Sequence, residues 1–259
     1  MRMNYLRSAA AAGALVLATA CGGSHDAAPS SPPAGALRVD ESKAATLAGR
    51  VAFEGTVPEN APVKMGGDPY CVTQNPNGAH LERFDVTDGG LNNVFVYVKD
   101  GLGNYYFDTP TEPVKLDQQG CRYHPHVLGI RVGQPLEIVN SDETMHNVHA
   151  MPAANREFNL GQAIQHQADK RTFTKREVMI PFKCDVHGWM QAFIGVMDNP
   201  YFAVTHDGGK FEIKNLPAGT YTIEAWHEKL GTETQTVTLA DKQSANVTFT
   251  FKAPAAAGN

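Results

Sequence analysis

Lys210-Phe-Glu-Ile-Lys-Asn-Leu-Pro-Ala-Gly-Thr-Tyr-Thr-Ile-Glu-Ala-Trp226 is the stretch on which the fold class turns. In Lys210–Ile213 and Tyr221–Trp226, apolar and polar residues alternate at period two, the spacing of strands with one buried face. Leu216-Pro-Ala-Gly219 supplies the turn between them, and Asp207-Gly-Gly supplies one just before. Thr232–Leu239 and Asn246–Phe251 continue the alternation downstream. Upstream, Arg50–Phe53, Asn93–Val98, Gly129–Val132 and Pro135–Val139 are β-branched or aromatic runs between turn residues. No segment carries a sustained helical stripe; Ala153–Lys170 reads as a short helix or an irregular loop. The expected class is all-β, with antiparallel sheets packed as sandwiches.

The chain of 259 residues is long enough for one large or two modest domains. It carries 22 Lys and Arg against 27 Asp and Glu, a formal net charge of −5, and has no basic run. That balance argues against binding a phosphate backbone, so no nucleic-acid partner is expected.

The N-terminus places Arg2 and Arg7 before the uncharged stretch Ser8–Ala20. Such a stretch is too short to cross a bilayer as a helix and suits the apolar region of a signal peptide, residues 1–20. Leu17-Ala-Thr-Ala-Cys21 resembles a bacterial lipobox, which implies lipidation of Cys21 and a place in the bacterial cell envelope, facing the periplasm or the exterior. Residues 21–44, with Gly-Gly-Ser and Ser-Ser-Pro-Pro, read as a flexible tether from membrane to folded domain. With Cys21 withdrawn from pairing, Cys71, Cys121 and Cys184 remain in an oxidising compartment. Three thiols cannot all pair within one chain, so one is free, bridged to another chain, or held by something other than sulfur.

Phe182-Lys-Cys184-Asp-Val-His187-Gly-Trp-Met190 sets a thiol, an imidazole and a thioether at i, i+3 and i+6. Upstream stands Met145-His146-Asn147-Val-His149. Two imidazoles and a thiolate with a weak axial Met form a mononuclear copper site for electron transfer. Thiolate and thioether favour Cu(I), while imidazole suits both oxidation states, so the ion needs little rearrangement when the electron moves. A zinc site is the rival for Cys-x-x-His, but structural zinc prefers more thiolates and leaves Met190 without a role.

These motifs resemble the cupredoxins, and most closely amicyanin and plastocyanin. Cys184-x-x-His187-x-x-Met190 is similar to the short amicyanin ligand loop, and Tyr123–Gly133 up to Asn140 is similar to the early strands. The resemblance implies a cupredoxin Greek-key sandwich over residues 113–198. It implies His146, Cys184 and His187 as equatorial copper ligands, Met190 as the axial one, and Asn147 as a hydrogen-bonding tie between the two ligand loops. It departs at Gly188, where amicyanins carry proline, and in a longer connection before Cys184. On a strand His146 and His149 point to opposite faces, so only one can face the Cys184 loop, and the resemblance selects His146. Trp189 is expected as a cap over the copper or as a docking contact, with electrons leaving through the His187 ring edge. The implied partner is a redox protein such as a c-type cytochrome or a dehydrogenase.

Thr205–Ala225 resembles the second half of a carboxypeptidase-regulatory-like (transthyretin-like) sandwich, and Leu47–Phe53 with Asn93–Asp100 resembles its first half. The expected organisation is therefore one sandwich split around another: 45–112 and 199–253 flanking 113–198, with a tail at 254–259. Cys121-Arg-Tyr-His124-Pro-His126 reads either as a further metal or copper-entry site or as a disulfide from Cys121 to Cys71, the latter favoured because only Cys71 is left to pair. His227 is expected on a strand surface. No pattern indicates catalysis: there is no Ser/His/Asp set in a recognisable context and no phosphate loop. The function expected is single-electron transport by a blue copper protein; copper delivery, storage or sensing through the same ligands is the alternative.

Overall fold

The computed structural model describes residues 32–254. The expected signal peptide, Cys21, the first part of the tether and the end of the tail lie outside the described residues. The described residues are all-β in character, and their strands form four sheets.

The first sheet runs in the order Lys210–Leu216, Ala45–Glu54, Gly90–Leu91, Val86–Thr87, and Ser244–Lys252 pairs in parallel with Ala45–Glu54. The second holds Phe202–Val204, Phe95–Asp100, Gly219–His227 and Gly231–Leu239. Alternation decides which side chains enter the core between them. Phe211 and Ile213 are buried while Lys210, Glu212 and Lys214 face solvent. Leu47, Val51, Phe249 and Phe251 join them from the neighbouring strands.

The other two sheets are drawn from residues 114–197. One has the order Phe158–Gln162, His146–Ala150, Glu177–Lys183, Gln191–Met197, Val127–Arg131. The other has Ala168–Arg171, Leu136–Asn140, Val114–Gln119, Arg122–His124. Leu116, Ile138, Val148, Phe173, Phe182 and Ile194 fill the space between. Ala153–Lys170 contains strand Phe158–Gln162 and the start of Ala168–Arg171, correcting the reading as helix or loop. Both strands lie at sheet edges, where one ladder partner suffices.

A small apolar cluster of Phe95, Tyr97, Val127, Met179 and Met197 joins the two sandwiches. Two glycines make the approach possible. A Cβ on Gly195 would lie 2.6 Å from Phe95 Cζ, and one on Gly129 would lie 2.3 Å from Phe202 Cε2, inside any normal contact.

Two segments depart from the expected boundaries. Residues 36–44 are not a free tether: Leu37 N donates to Asn104 O, Tyr106 N donates to Leu37 O, and Arg38 pairs with Asp108. The excursion between Glu54 and Val86 leaves the first sandwich and packs Met65, Cys71 and Ala79 into the core of the other. It carries the one helix among the described residues, Pro69–Gln74. Asp68 caps that helix by accepting from Tyr70 N and Cys71 N, and Pro69 occupies its first turn. The disulfide Cys71–Cys121, the expected pairing, pins the helix to the inserted sandwich.

Candidate metal centre

Strands Glu177–Lys183 and Gln191–Met197 pair with Lys183 opposite Gln191, so residues 184–190 form the tight connection between them. Inside it Cys184 N donates to Met190 O and Met190 N donates to His187 O, closing the loop on itself. Strand His146–Ala150 lies beside Glu177–Lys183, with His149 opposite Lys183, so His146 arrives at the same end. Cys184, His146, His187 and Met190 are all buried. Cys184 is the free cysteine among the described residues.

Ligand atoms of His146, Cys184 and His187 lie within 4.8 Å of one another. The two imidazoles face each other through Nδ1 at 2.9 Å, and Cys184 Sγ is 3.9 Å from His187 Nδ1. Two ring nitrogens at that separation must share a proton or bind a cation. A trigonal ion with bonds of about 2.0 Å to nitrogen and about 2.3 Å to sulfur would set its donors roughly 3.5–3.8 Å apart. The observed triangle therefore fits one ion after small side-chain adjustment, and imidazole and thiolate together suit a copper or zinc ion.

The thiol is prepared for such a role. Burial alone would push it up; hydrogen bonds from His146, His187 and the backbone N–H groups of Asn147 and His187 outweigh burial and bring it down to about 6. Asn147 ties the two loops as the resemblance implies. Its Oδ1 accepts from Asp185 N and Val186 N, its Nδ2 donates to Asn159 Oδ1, and its own N–H points at Cys184 Sγ. The Lys183 ammonium and the amides of Asn159 and Asn147 hold the Asp185 carboxyl well below its ordinary value.

The far nitrogens of both imidazoles meet carboxylates that sequence reasoning missed. His146 Nε2 donates to Asp142 Oδ2 at 2.8 Å, and Asp142 also accepts from Gly120 N and Cys121 N. Burial would raise the Asp142 carboxyl, yet His146 and these two amides hold it below its ordinary value. His146 is in turn raised, the pull of Asp142 and Cys184 exceeding the effect of burial. His187 Nε2 donates to Asp68 Oδ2 at 3.0 Å. Asp142 was legible as an acid four residues before His146 in the bend after a strand. Asp68 carried a helix-cap signal, Asp-Pro, with nothing to link it to His187.

Other candidates lie apart from the centre. His149 bonds Glu157 and Asp185 instead. Cys121 is in the disulfide, His124 is exposed, and His126 is held by Gln191 O and Glu228 Oε1, so these three do not converge on a metal. Trp189 is half-buried, with its ring 5.0 Å from that of His187 and its indole N–H donated to Cys121 O. His187 is 3% exposed, lying beneath Asp68 and the disulfide, so its ring edge is covered. His227 is likewise buried, beside Phe84 and Phe251, rather than at the surface.

Residues 195–252 match the family model of the carboxypeptidase regulatory-like domain, a range that contains the last strands of the split sandwich. No curated protein matches the chain. Among solved structures, a mutant of amicyanin in its Cu(I) state is similar at 23% identity, covering 33% of this chain and 82% of that one with a TM-score of 0.30. A purple cupredoxin from Nitrosopumilus maritimus is similar at 18% identity over 32% of this chain and 98% of that one, with a TM-score of 0.28. A copper-containing nitrite reductase from Thermus scotoductus is similar at 16% identity over 57% of this chain, with a TM-score of 0.33; only 28% of that enzyme is covered.

Proposed function

We propose that this chain is an extracytoplasmic type 1 copper protein that carries single electrons between redox partners. The observation that carries the reading is the buried convergence of His146, Cys184 and His187 at one end of the inserted sandwich. Met190 lies in the same closed loop and would be the fourth donor. Copper bound there would supply a one-electron couple. The protein's part is to hold two imidazoles and a thiolate in a fixed array, keep water away, and keep Cys184 ionised near neutral pH. With four donors from the chain itself, the ion has no vacant position for a substrate, which favours a carrier over an enzyme.

In the same reading Cys21 is the lipid anchor on a bacterial envelope membrane. The partner is a second redox protein, of the kind a c-type cytochrome or a dehydrogenase represents. Because the His187 edge is covered, docking is expected around Trp189 and the exposed Asp185–Val186–Gly188 surface of the loop.

Reversible redox titration tests the carrier role. The copper-loaded protein is expected to take and release one electron per chain through repeated cycles with small one-electron mediators, without losing metal. Loss of the ion on each reduction would instead support delivery or storage.

A further inference from the structure

The helix that covers the metal centre comes from the wrong sandwich. Residues 55–85 connect two strands of the outer sandwich, yet they cross to the end of the inserted one and set Asp68 against His187. Each oxygen of that carboxylate is fixed. Oδ1 accepts from Tyr70 N at 2.8 Å and Cys71 N at 3.4 Å, capping the helix. Oδ2 accepts from Thr144 Oγ1 at 2.6 Å and from His187 Nε2 at 3.0 Å.

The helix itself is fastened three ways. Cys71 is bridged to Cys121, Asn75 Nδ2 donates to Gly120 O, and Tyr70 Oη donates to Asp142 Oδ1. Tyr70 and the Cys121 amide thus meet the same carboxylate that holds His146, so the two imidazole supports belong to one network.

We propose that Asp68 is a positioning residue for His187 in the copper centre, delivered by the strap and held in place by its disulfide. This rests on the copper reading above. A carboxylate accepts only, so the bond to Asp68 fixes the His187 proton on Nε2 and leaves the Nδ1 lone pair turned toward His146 and Cys184. It also helps to fix the ring plane, from the side opposite Cys184. Carboxylates hydrogen-bonded to a metal-bound imidazole raise its basicity and orient it, and their loss costs about 10–100-fold in metal affinity.

Asp68→Asn is the informative variant, because Asn caps a helix as well as Asp does and so preserves the strap while removing the anion. Asp68→Ala removes both. In the metal-free full chain, nitrogen-15 NMR is expected to show a His187 Nε2–H signal protected from solvent exchange. Asp68→Ala is expected to lose that protection by at least about tenfold, in the manner of any opened hydrogen bond. With copper, Asp68→Asn is expected to bind Cu(II) about 10–100-fold more weakly and to have a higher reduction potential, since the lost anion favours Cu(II) over Cu(I). An unprotected His187 N–H in the parent protein would overturn the proposal. So would wild-type protection, affinity and potential in both variants with the disulfide intact. A parent chain that binds no copper would sink the proposed function alone, and the NMR arm would still decide whether Asp68 holds His187.

Discussion

His146 and His227 are both buried histidines in this protein, one in each sandwich, and their surroundings drive them in opposite directions. His146 is raised because a carboxylate and a thiolate stabilise its charged form more than burial opposes it. His227 is packed against Phe84 and Phe251, and burial lowers it to about 4. Burial alone therefore does not define a functional histidine. At the inserted sandwich's end the imidazole nitrogens face carboxylates, a thiol and each other; in the outer sandwich the His227 ring packs on phenylalanines and its Nδ1 accepts a backbone N–H from Lys229.

The largest way to break this contrast is to release the strap that brings Asp68. The disulfide spans 50 residues, and closing a loop of that size stabilises by about 4 kcal/mol in the chain-entropy account. Replacing Cys71 and Cys121 together with serine should lower denaturant stability by about that amount. An unchanged midpoint would mean that the strap is held without the bond.

The second perturbation concerns His227. Its folded value lies below its ordinary one, so the folded state prefers the neutral ring. The stabilising contribution is present above pH 6.5 and is lost as the pH falls toward about 4. The total loss is roughly 3 kcal/mol. His227→Phe, which keeps a ring against Phe84 and Phe251, should remove that part of the acid slope; an identical slope in the variant would contradict the buried neutral assignment.

Next in size is Tyr97, at the contact between sandwiches, whose hydroxyl donates to the buried Glu224 carboxylate. Glu224 keeps Lys99 and Thr234 as partners, so Tyr97→Phe should cost only about 1–2 kcal/mol in thermal or chemical melts. The smallest effect belongs to the Arg38–Asp108 pair. Both side chains are more than half exposed, and Arg38→Ala should lower the denaturation midpoint little or not at all. A larger loss would show that the segment before Ala45 is integral to the outer sandwich.

Much of the fold was legible because strands with one buried face announce themselves. Phe211 and Ile213, or Tyr221, Ile223 and Ala225, alternate with polar neighbours, and the core follows. The same rule places His227 inside, since it shares the face of Tyr221, Ile223 and Ala225; its polar identity obscured a pattern already on the page. The edge strands Phe158–Gln162 and Ala168–Arg171 were missed because they are short and mostly exposed, leaving little apolar rhythm. At the candidate site, residue type and spacing marked Cys184, His187 and Met190, and the cupredoxin resemblance selected His146 over His149. Asp68 was invisible to spacing. It stands 119 positions from His187, and only the packing of the strap makes them neighbours.

The contrast between the two buried histidines has meaning only if the polar one belongs to a copper centre. The direct measurement is the optical and EPR spectrum of the protein after addition of Cu(II), beside that of Cys184→Ser. An intense thiolate-to-copper band with narrow copper hyperfine splitting, absent in Cys184→Ser, is the result this account predicts. A colourless protein that takes zinc in preference, or a copper spectrum unaltered by Cys184→Ser, would contradict it.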